Sequence, residues 1–325
     1  MLSLEEIFEG RDVAFFGYAR TALEYGYRYL GLKAGDEVLY PDLICDVAMV
    51  PCRRLGLNVG FYRINDSLET DIADLERQVT GSTRAILAVH YFGFPQRRLD
   101  SLKGLCRRRG LYLIEDNAHS FLSSPGGRFL GFTGDISIYS FRKTVPVVNG
   151  AALLVNRHFN GGDDTWDVKL AGEMLPPEKR IRRIRGRLKL FEAKYRVPLS
   201  RLRRTGLHVL PHGATEYETL DYKADEWSMS VLRDYPYARE ITRRRDNFRR
   251  WVDRLTPLGL VPVKELESGT VPMCCPMYSS ERDRWLERYL GKGYRVSPWP
   301  TLPREVSRKG GGAVDIWKRL ITFPV

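Results

Sequence analysis

The regular alternation of helix-like and strand-like segments between residues 21 and 116 constrains the fold more than any other feature. The helical segments read TALEYGYRYLGL, VAMVPCRRLG, IADLERQV and LDSLKGLCRRRG, and the strand segments read EVLY, NVGFYRI, RAILAVHYFG and LYLIED. Such alternation builds a mainly parallel sheet, because each helix returns the chain to the same end of the next strand. Runs such as AILAV and LYLI have no polar face, so we expect helices to cover both sides of the sheet.

The second part of the chain predicts a smaller unit. The segment DYPYAREITRRRDNFRRWVDRLTPL is typical of one long helix, and VPMCCPMY and KGYRVSPWP have the character of strands. We therefore expect a large domain over residues 1–235 and a small C-terminal α+β domain over residues 236–325.

Composition limits the class of protein. The chain has 325 residues with 43% apolar and 11% aromatic content, and no apolar run approaches the roughly 18 residues of a membrane span. The acidic start MLSLEEIFEG predicts no signal peptide. The five cysteines form no CxxC pair and no Cys/His metal pattern, so we expect a cytoplasmic protein with neither a disulfide framework nor a metal site.

Polar side chains follow two of the predicted strands. Asp116 and His119 come after LYLI, and Lys143 comes after ISIYSF. Carboxyl ends of parallel strands share one edge, so a carboxylate, an imidazole and an amine are expected to converge there. Taken singly, Asp116 could cap a helix, His119 could be a buried histidine with satisfied hydrogen bonds, and Lys143 could be a solvated loop charge. Together they match the needs of pyridoxal phosphate enzymes, namely a lysine for the covalent link and a carboxylate against the pyridinium nitrogen.

A phosphate site is expected near the start of the chain. The segment FFGYARTALEYGYRYLG runs from a glycine-containing turn into a helix, whose free backbone N–H groups and positive dipole end favour an anion. Arg20 would add a charge-assisted donor there.

Several segments resemble those of one enzyme family, in the same order. GYARTAL resembles its Ser-Gly-Thr-x-Ala-Leu phosphate turn, AVHYFGFP its Val-His-x-x-Gly strand end, LIEDNAHS its Glu-Asp-x-Ala-Gln/His motif, and SFRKTVPVVNGAALLV its lysine block. On these residues the chain resembles the DegT/DnrJ/EryC1/StrS sugar aminotransferases, strongly from about Phe15 to Val155 and faintly beyond. The resemblance implies the fold type I of aspartate aminotransferase, with a mainly parallel seven-stranded sheet sandwiched by helices, and a homodimer.

The resemblance also implies roles for individual residues. Lys143 would form the covalent link to pyridoxal 5'-phosphate, Asp116 would pair with the pyridine nitrogen, and His119 would contact the 3-hydroxyl group. Ser140, with Ala19 and Arg20 of the phosphate turn, would bind the phosphate.

Three positions depart from the family pattern. Ala19-Arg20 replaces Gly-Thr, Cys45 stands where the family has an aromatic ring over the cofactor, and Glu226 stands where an asparagine reaches the neighbouring subunit's cofactor phosphate. A carboxylate repels a phosphate. Either Arg20 compensates, or Glu226 turns away, or the chain retains the fold without tight cofactor binding.

The expected function is transfer of an amino group from an amino acid, glutamate or glutamine, to a keto sugar carried on a nucleotide, in polysaccharide or secondary-metabolite biosynthesis. One alternative is a dehydratase-like enzyme of the same family, which His119 in the Gln/His position leaves open. A second alternative is a non-catalytic binding or scaffold protein, which the departures at Arg20, Cys45 and Glu226 leave open.

Much of the net charge of +12 lies in the basic segment 178–204, EKRIRRIRGRLKLFEAKYRVPLSRLRR. Its apolar residues recur at helical spacing, which is typical of a helix with a solvated basic face. A clamp for the diphosphate of a nucleotide sugar and a peripheral contact with an anionic membrane are the functional alternatives. No nucleic acid is expected, because no recognition motif accompanies the charge.

Overall fold

The computed structural model describes residues 2–11, 13–156, 223–299 and 301–325. The basic segment 178–204 lies outside the described residues, so its predicted role stays a prediction.

Within the described residues, the main sheet has seven strands in the order β1-β7-β6-β5-β4-β2-β3. The strands are β1 Val13–Phe16, β2 Glu37–Pro41, β3 Asn58–Tyr62, β4 Thr83–Val89, β5 Tyr112–Asn117, β6 Ile136–Ser140 and β7 Ala151–Val155. Strands β2 to β6 pair in parallel, and β7 runs antiparallel to both β1 and β6. The predicted mainly parallel seven-stranded sheet is confirmed.

The helices of the described residues follow the predicted order. They are α1 Leu4–Ile7, α2 Ala19–Tyr29, α3 Val50–Leu55, α4 Ile72–Gln78, α5 Leu99–Arg109, α6 Glu226–Arg233, α7 Tyr237–Leu255, α8 Arg282–Leu290, α9 Arg304–Lys309 and α10 Gly312–Arg319. All four helical segments predicted before residue 111 are present as α2 to α5.

Helix α2 lies unusually close to the sheet. It packs on β6 and β7 through a face that buries Ala22, Leu23 and Tyr27. A Cβ atom on Gly26 would lie 2.6 Å from Cδ1 of Ile136, so glycine at this position permits the close approach.

The C-terminal part contains a three-stranded antiparallel sheet in the order β10-β9-β8. Its strands are β8 Val261–Pro262, β9 Cys274–Tyr278 and β10 Leu320–Pro324. The predicted long helix is α7, which begins after Pro236. The prediction of a strand in KGYRVSPWP was wrong. This segment forms only an isolated bridge between Ser297 and Thr322, and Pro298 has no N–H group to continue the ladder.

One buried apolar cluster joins the two sheets. It includes Val38 and Leu87 of the main sheet together with Phe94, Phe248 and Phe323. The predicted domain boundary at residue 235 stays a prediction, because the cluster is continuous on both sides of it.

Candidate active site

The sheet register brings the predicted residues to one edge. Asp116 lies beside Val89 near the end of β5, and Ser140 ends β6 beside Ala151. Phe16 at the end of β1 also lies beside Ala151, so Ala19 at the start of α2 leaves the sheet at the same edge. The carboxylate, the serine and the phosphate-turn candidate are therefore neighbours in the fold.

Lys143 ends a short 3-10 turn, Phe141–Lys143, directly after β6. The backbone N–H groups of Thr144 and Val145 both donate to the Phe141 carbonyl, at 2.9 and 2.7 Å. Burial lowers the pKa of the Lys143 amine, although Cys45 and Asp116 act to raise it. Lys143 therefore carries a larger neutral fraction at neutral pH than an exposed lysine does.

Asp116 is a buried carboxylate next to this amine. Its Oδ1 accepts a hydrogen bond from the Ala118 N–H group at 2.8 Å. Burial raises the pKa of Asp116, while Lys143 and the Ala118 N–H group act to lower it. A cationic partner placed against Asp116 would stabilise its ionised form.

Cys45 lies close enough to Lys143 and Asp116 for both to act on its pKa. Burial raises the pKa of the thiol, Lys143 acts to lower it, and Asp116 acts to raise it. Cys45 is therefore a neutral thiol at neutral pH.

His119 is held as a neutral imidazole. The Phe92 N–H group donates to its Nδ1 at 3.3 Å, so the ring proton resides on Nε2. Burial, with Lys143 as a further cause, lowers the pKa of His119 well below its usual value. The His119 ring stacks on Phe92 at 5.7 Å between centroids and meets the Trp299 ring edge-on at 5.6 Å. His119 thus presents an N–H donor from Nε2.

Phe92 and Trp299 were missed by the sequence reasoning. Phe92 adopts a left-handed backbone with φ of 56°, and its carbonyl accepts from the Met273 N–H group at 2.8 Å. A bulky residue in this region is strained, which is common at functional sites. Trp299 belongs to the C-terminal part of the chain, and its local sequence does not predict its contact with Phe92 and His119.

His90 and Glu115 form a separate buried pair. His90 Nε2 lies 2.9 Å from Glu115 Oε2, and His90 Nδ1 accepts from the Gln96 N–H group at 3.0 Å. Burial raises the pKa of Glu115, but hydrogen bonds from His90 and from two backbone N–H groups outweigh it and lower the pKa overall. Successive side chains on a strand point to opposite faces, so Glu115 lies on the face of the sheet opposite to that of Asp116.

Arg20 and Glu226 each lie at a helix start. The Arg20 guanidinium lies 4.6 Å from the centroid of the Tyr18 ring, at the N-terminal end of α2. Glu226 is exposed and begins α6. The start of α6 is anchored to the loop that follows Lys143, because Asn149 Oδ1 accepts from the Asp225 N–H group at 3.0 Å.

Within the described residues, no three metal-binding side chains cluster closely enough to bind an ion. No helix in the same ranges is long and apolar enough to cross a membrane.

Comparison with known proteins adds the following. Residues 11–156 match the DegT/DnrJ/EryC1/StrS aminotransferase family. The chain is 32% identical over 139 residues to GDP-perosamine synthase of Escherichia coli O157:H7, covering 42% of this chain and 38% of that protein. It is 31% identical over 140 residues to dTDP-4-dehydro-2,3,6-trideoxy-D-glucose 4-aminotransferase of Saccharopolyspora spinosa, covering 43% and 36% of the two chains. The alignments thus span well under half of these relatives.

The fold extends further than the sequence similarity. NtdA from Bacillus subtilis, solved with bound PMP, superposes with a TM-score of 0.66 at 18% identity, covering 97% of this chain and 68% of NtdA. The matched residues 11–156 include Asp116, His119 and Lys143, so the similarity to the DegT/DnrJ/EryC1/StrS aminotransferase family covers the part of the chain that carries the candidate site.

Proposed function

We propose that the protein is a pyridoxal-phosphate-dependent aminotransferase that transfers an amino group from glutamate or glutamine to a nucleotide-linked keto sugar. The observation that carries the proposal is the Lys143 amine, whose pKa is lowered by burial and which lies close enough to Asp116 and Cys45 for their charges to act on it. The GDP- and dTDP-linked names of the two curated relatives support the substrate class.

The residues at this edge fit the cofactor. Asp116 is a buried carboxylate suited to a cationic ring nitrogen, and His119 offers a neutral N–H donor from Nε2. Ser140 and the first backbone N–H groups of α2 lie at the same edge of the sheet, where they can bind a phosphate. When bound, the cofactor withdraws electrons from the carbon that carries the transferred nitrogen.

Lys143 has two tasks in the proposed reaction. Its neutral Nζ is a nucleophile that attaches the cofactor. The same Nζ, when not bound to the cofactor, would accept the proton from the donor's α-carbon. Both tasks require the unprotonated amine, which the lowered pKa of Lys143 favours.

Asp116 and His119 keep the cofactor in its reactive state. The Asp116 carboxylate would hold a proton on the ring nitrogen, because its own ionised form needs a cationic partner in this buried position. His119 Nε2–H would donate to the 3-oxygen, and the hydrogen bond from the Phe92 N–H group to Nδ1 disfavours the opposite tautomer.

A cytoplasmic location is part of the proposal. All five cysteines are free thiols, which is consistent with a reducing compartment.

The test combines covalent trapping with half-reactions. Protein purified with pyridoxal phosphate is reduced with borohydride and weighed by intact mass spectrometry, and the cofactor's visible absorbance is followed as glutamate, glutamine and other amino acids are added. We expect one trapped cofactor per chain in wild type and in the control Lys33→Ala, whose lysine is exposed, and none in Lys143→Ala. Trapped cofactor in folded Lys143→Ala would refute the assignment, and absence of binding by wild type would favour the scaffold alternative.

A further inference from the structure

Helix α7 carries a charged pair on its buried face. The apolar residues of this face include Tyr237, Phe248 and Leu255, and the pair Glu240 and Arg244 falls within the same stripe. Glu240 is 4% exposed and Arg244 is 6% exposed. Buried charges are costly unless they are paired and hydrogen-bonded, so this pair calls for an explanation.

The Arg244 guanidinium joins three segments of the chain. Nε donates to Glu240 Oε1 at 2.7 Å, and Nη2 donates to the Thr144 carbonyl at 2.8 Å. Nη1 donates to the carbonyls of Pro272 and Met273 at 3.2 and 3.0 Å. The planar fork of arginine can satisfy a carboxylate and several carbonyls at once, which the single ammonium of lysine cannot do.

The hydrogen bond from Arg244 Nη2 holds the 3-10 turn that ends at Lys143. Thr144 is the residue after Lys143, and its N–H group is already bound to the Phe141 carbonyl. With its carbonyl bound by Arg244, Thr144 is held on both sides of its backbone. The position of Lys143 therefore depends on a side chain from α7.

The second arm leads to His119. Met273, whose carbonyl is bound by Arg244, donates its N–H group to the Phe92 carbonyl at 2.8 Å. Phe92 in turn donates its own N–H group to His119 Nδ1. The turn around Phe92 has a strained φ, and the Met273 hydrogen bond is one of the contacts that hold it, together with the bond from Ser123 Oγ to the Gly93 carbonyl.

We infer that Arg244 is a positioning residue that sets Lys143 and His119 relative to one another through main-chain carbonyls. It touches neither cofactor nor substrate in this role, and its effect on the reaction rests on the proposed function. The Glu240 carboxylate neutralises the buried positive charge of the Arg244 guanidinium. Hydrogen bonds from Arg243 and the charges of Arg243 and Arg244 lower the pKa of Glu240 despite the raising effect of burial, so it remains ionised.

Arg245 supplies a matched control on the same helix. Its Nη1 donates to the carbonyls of Glu267 and Thr270, at 2.9 and 2.5 Å, so it also ties α7 to the segment before β9. Both hydrogen bonds stay within that segment, whereas Arg244 also reaches the turn that carries Lys143. Arg244→Lys and Arg245→Lys each keep the positive charge but lose the planar set of N–H donors of the guanidinium group.

The experiment has two readouts besides activity. The first is the pH midpoint of Lys143 acylation in cofactor-free protein, measured by peptide mass spectrometry. The charged and titratable groups that act on Lys143 are Cys45, Asp116, His119 and Arg142. Arg244→Lys leaves all of them in the chain, so a changed midpoint reports a changed position of the amine. The second readout is the dissociation constant for pyridoxal phosphate.

For Arg244→Lys we expect the labelling midpoint to rise towards that of an ordinary lysine, because a looser turn gives the amine more water. We also expect cofactor affinity to fall about tenfold, the scale of one lost charge-assisted hydrogen bond. Arg245→Lys should lower the thermal midpoint while leaving both readouts near wild type.

Equal readouts in the two variants, with only thermal stability reduced, would overturn the positioning role. If Arg244→Lys does not fold, Glu240→Gln provides the second variant. The glutamine amide keeps the shape of the Glu240 side chain but binds the Arg244 guanidinium more weakly than a carboxylate does. We expect it to shift the labelling midpoint in the same direction, and an unchanged midpoint would overturn the role. Wild type that takes up no pyridoxal phosphate would refute the proposed function, while the labelling midpoints would still decide the role of Arg244.

Discussion

At the scale of residues, two buried aspartates lie at the carboxyl ends of strands of the main sheet and differ in their surroundings. Asp42 comes directly after β2, and its Oδ1 accepts from the Ile64 N–H group at 3.2 Å. Burial raises the pKa of Asp42 to about 6, and backbone hydrogen bonds only partly offset this. Asp116 also has a pKa raised by burial, but it faces the Lys143 amine. The Asp42 carboxylate accepts a backbone hydrogen bond, whereas the Asp116 carboxylate lies close enough to Lys143 for the amine to act on its pKa.

The pKa of Asp42 predicts how stability depends on pH. Its folded value of about 6 lies above the ordinary 3.8, so its favourable contribution is complete below 3.8 and is lost as pH rises through about 6. Asp42→Asn keeps the acceptor and removes the charge. We expect the variant to exceed wild type in free energy of unfolding by up to about 3 kcal/mol at pH 8, with the gap closing near pH 4. Urea denaturation at both pH values checks this, and a gap independent of pH would contradict it.

Asp116→Asn should behave differently. The amide cannot hold a proton on the ring nitrogen, so the cofactor should still be trapped on Lys143 while removal of the donor's α-proton slows by roughly a hundredfold or more. Stopped-flow absorbance during the glutamate half-reaction measures this. Rates within a few-fold of wild type would show that Asp116 does not face the ring nitrogen.

At the scale of elements, the spacing of apolar residues was sufficient to predict α2 to α5 and β2 to β5. Each of these elements has a continuous apolar face, so its structure is decided by its local sequence. The order of motifs also predicted which residues meet at the sheet edge. Trp299 and Arg244 could not be assigned in this way, since their contacts depend on how the C-terminal part packs against the turns after β4 and β6. One signal was present in the sequence. Glu240 and Arg244 interrupt the apolar stripe of α7 at a spacing of one helical turn.

The turn after β4 should be sensitive to a single methyl group. Gly93 has φ of 97°, and a Cβ atom there would lie 2.2 Å from the Val271 carbonyl oxygen. Gly93→Ala should therefore displace the turn that supports His119 and cost several kcal/mol or prevent folding, as steric strain adds to backbone strain. Gly110→Ala is the control, because Gly110 has φ of 65° but open space around it. We expect this control to cost only about 1 kcal/mol in thermal or urea unfolding, and equal losses in both variants would contradict the steric argument.

At the scale of the whole molecule, Arg20 and Glu226, which both depart from the family pattern, could act on the same phosphate only in a dimer. We expect an isologous dimer in which Glu226 of one chain approaches the phosphate site of the other and Arg20 offsets its charge. Sedimentation at micromolar concentration should show a dimer. A monomer with full cofactor occupancy would contradict this assembly.

The same arrangement predicts coupling between the two residues. Arg20→Ala should weaken cofactor binding by roughly one to two decades, and Glu226→Asn should restore part of the loss by removing the repelling anion. Titration of pyridoxal phosphate into wild type, both single variants and the double variant measures the coupling. Strictly additive effects would remove it.

The strand order has a consequence for how the chain reaches this structure. Strands β2 to β5 pair among themselves, so they can assemble as soon as they leave the ribosome. β1 pairs with β7, matching Val13 to Leu154, and must wait until residue 155 has been synthesised. The first strand to be made is thus the last of the main sheet to be paired. Until then β1 lacks its partner strand, so we expect the nascent chain to be more prone to aggregation than the finished protein.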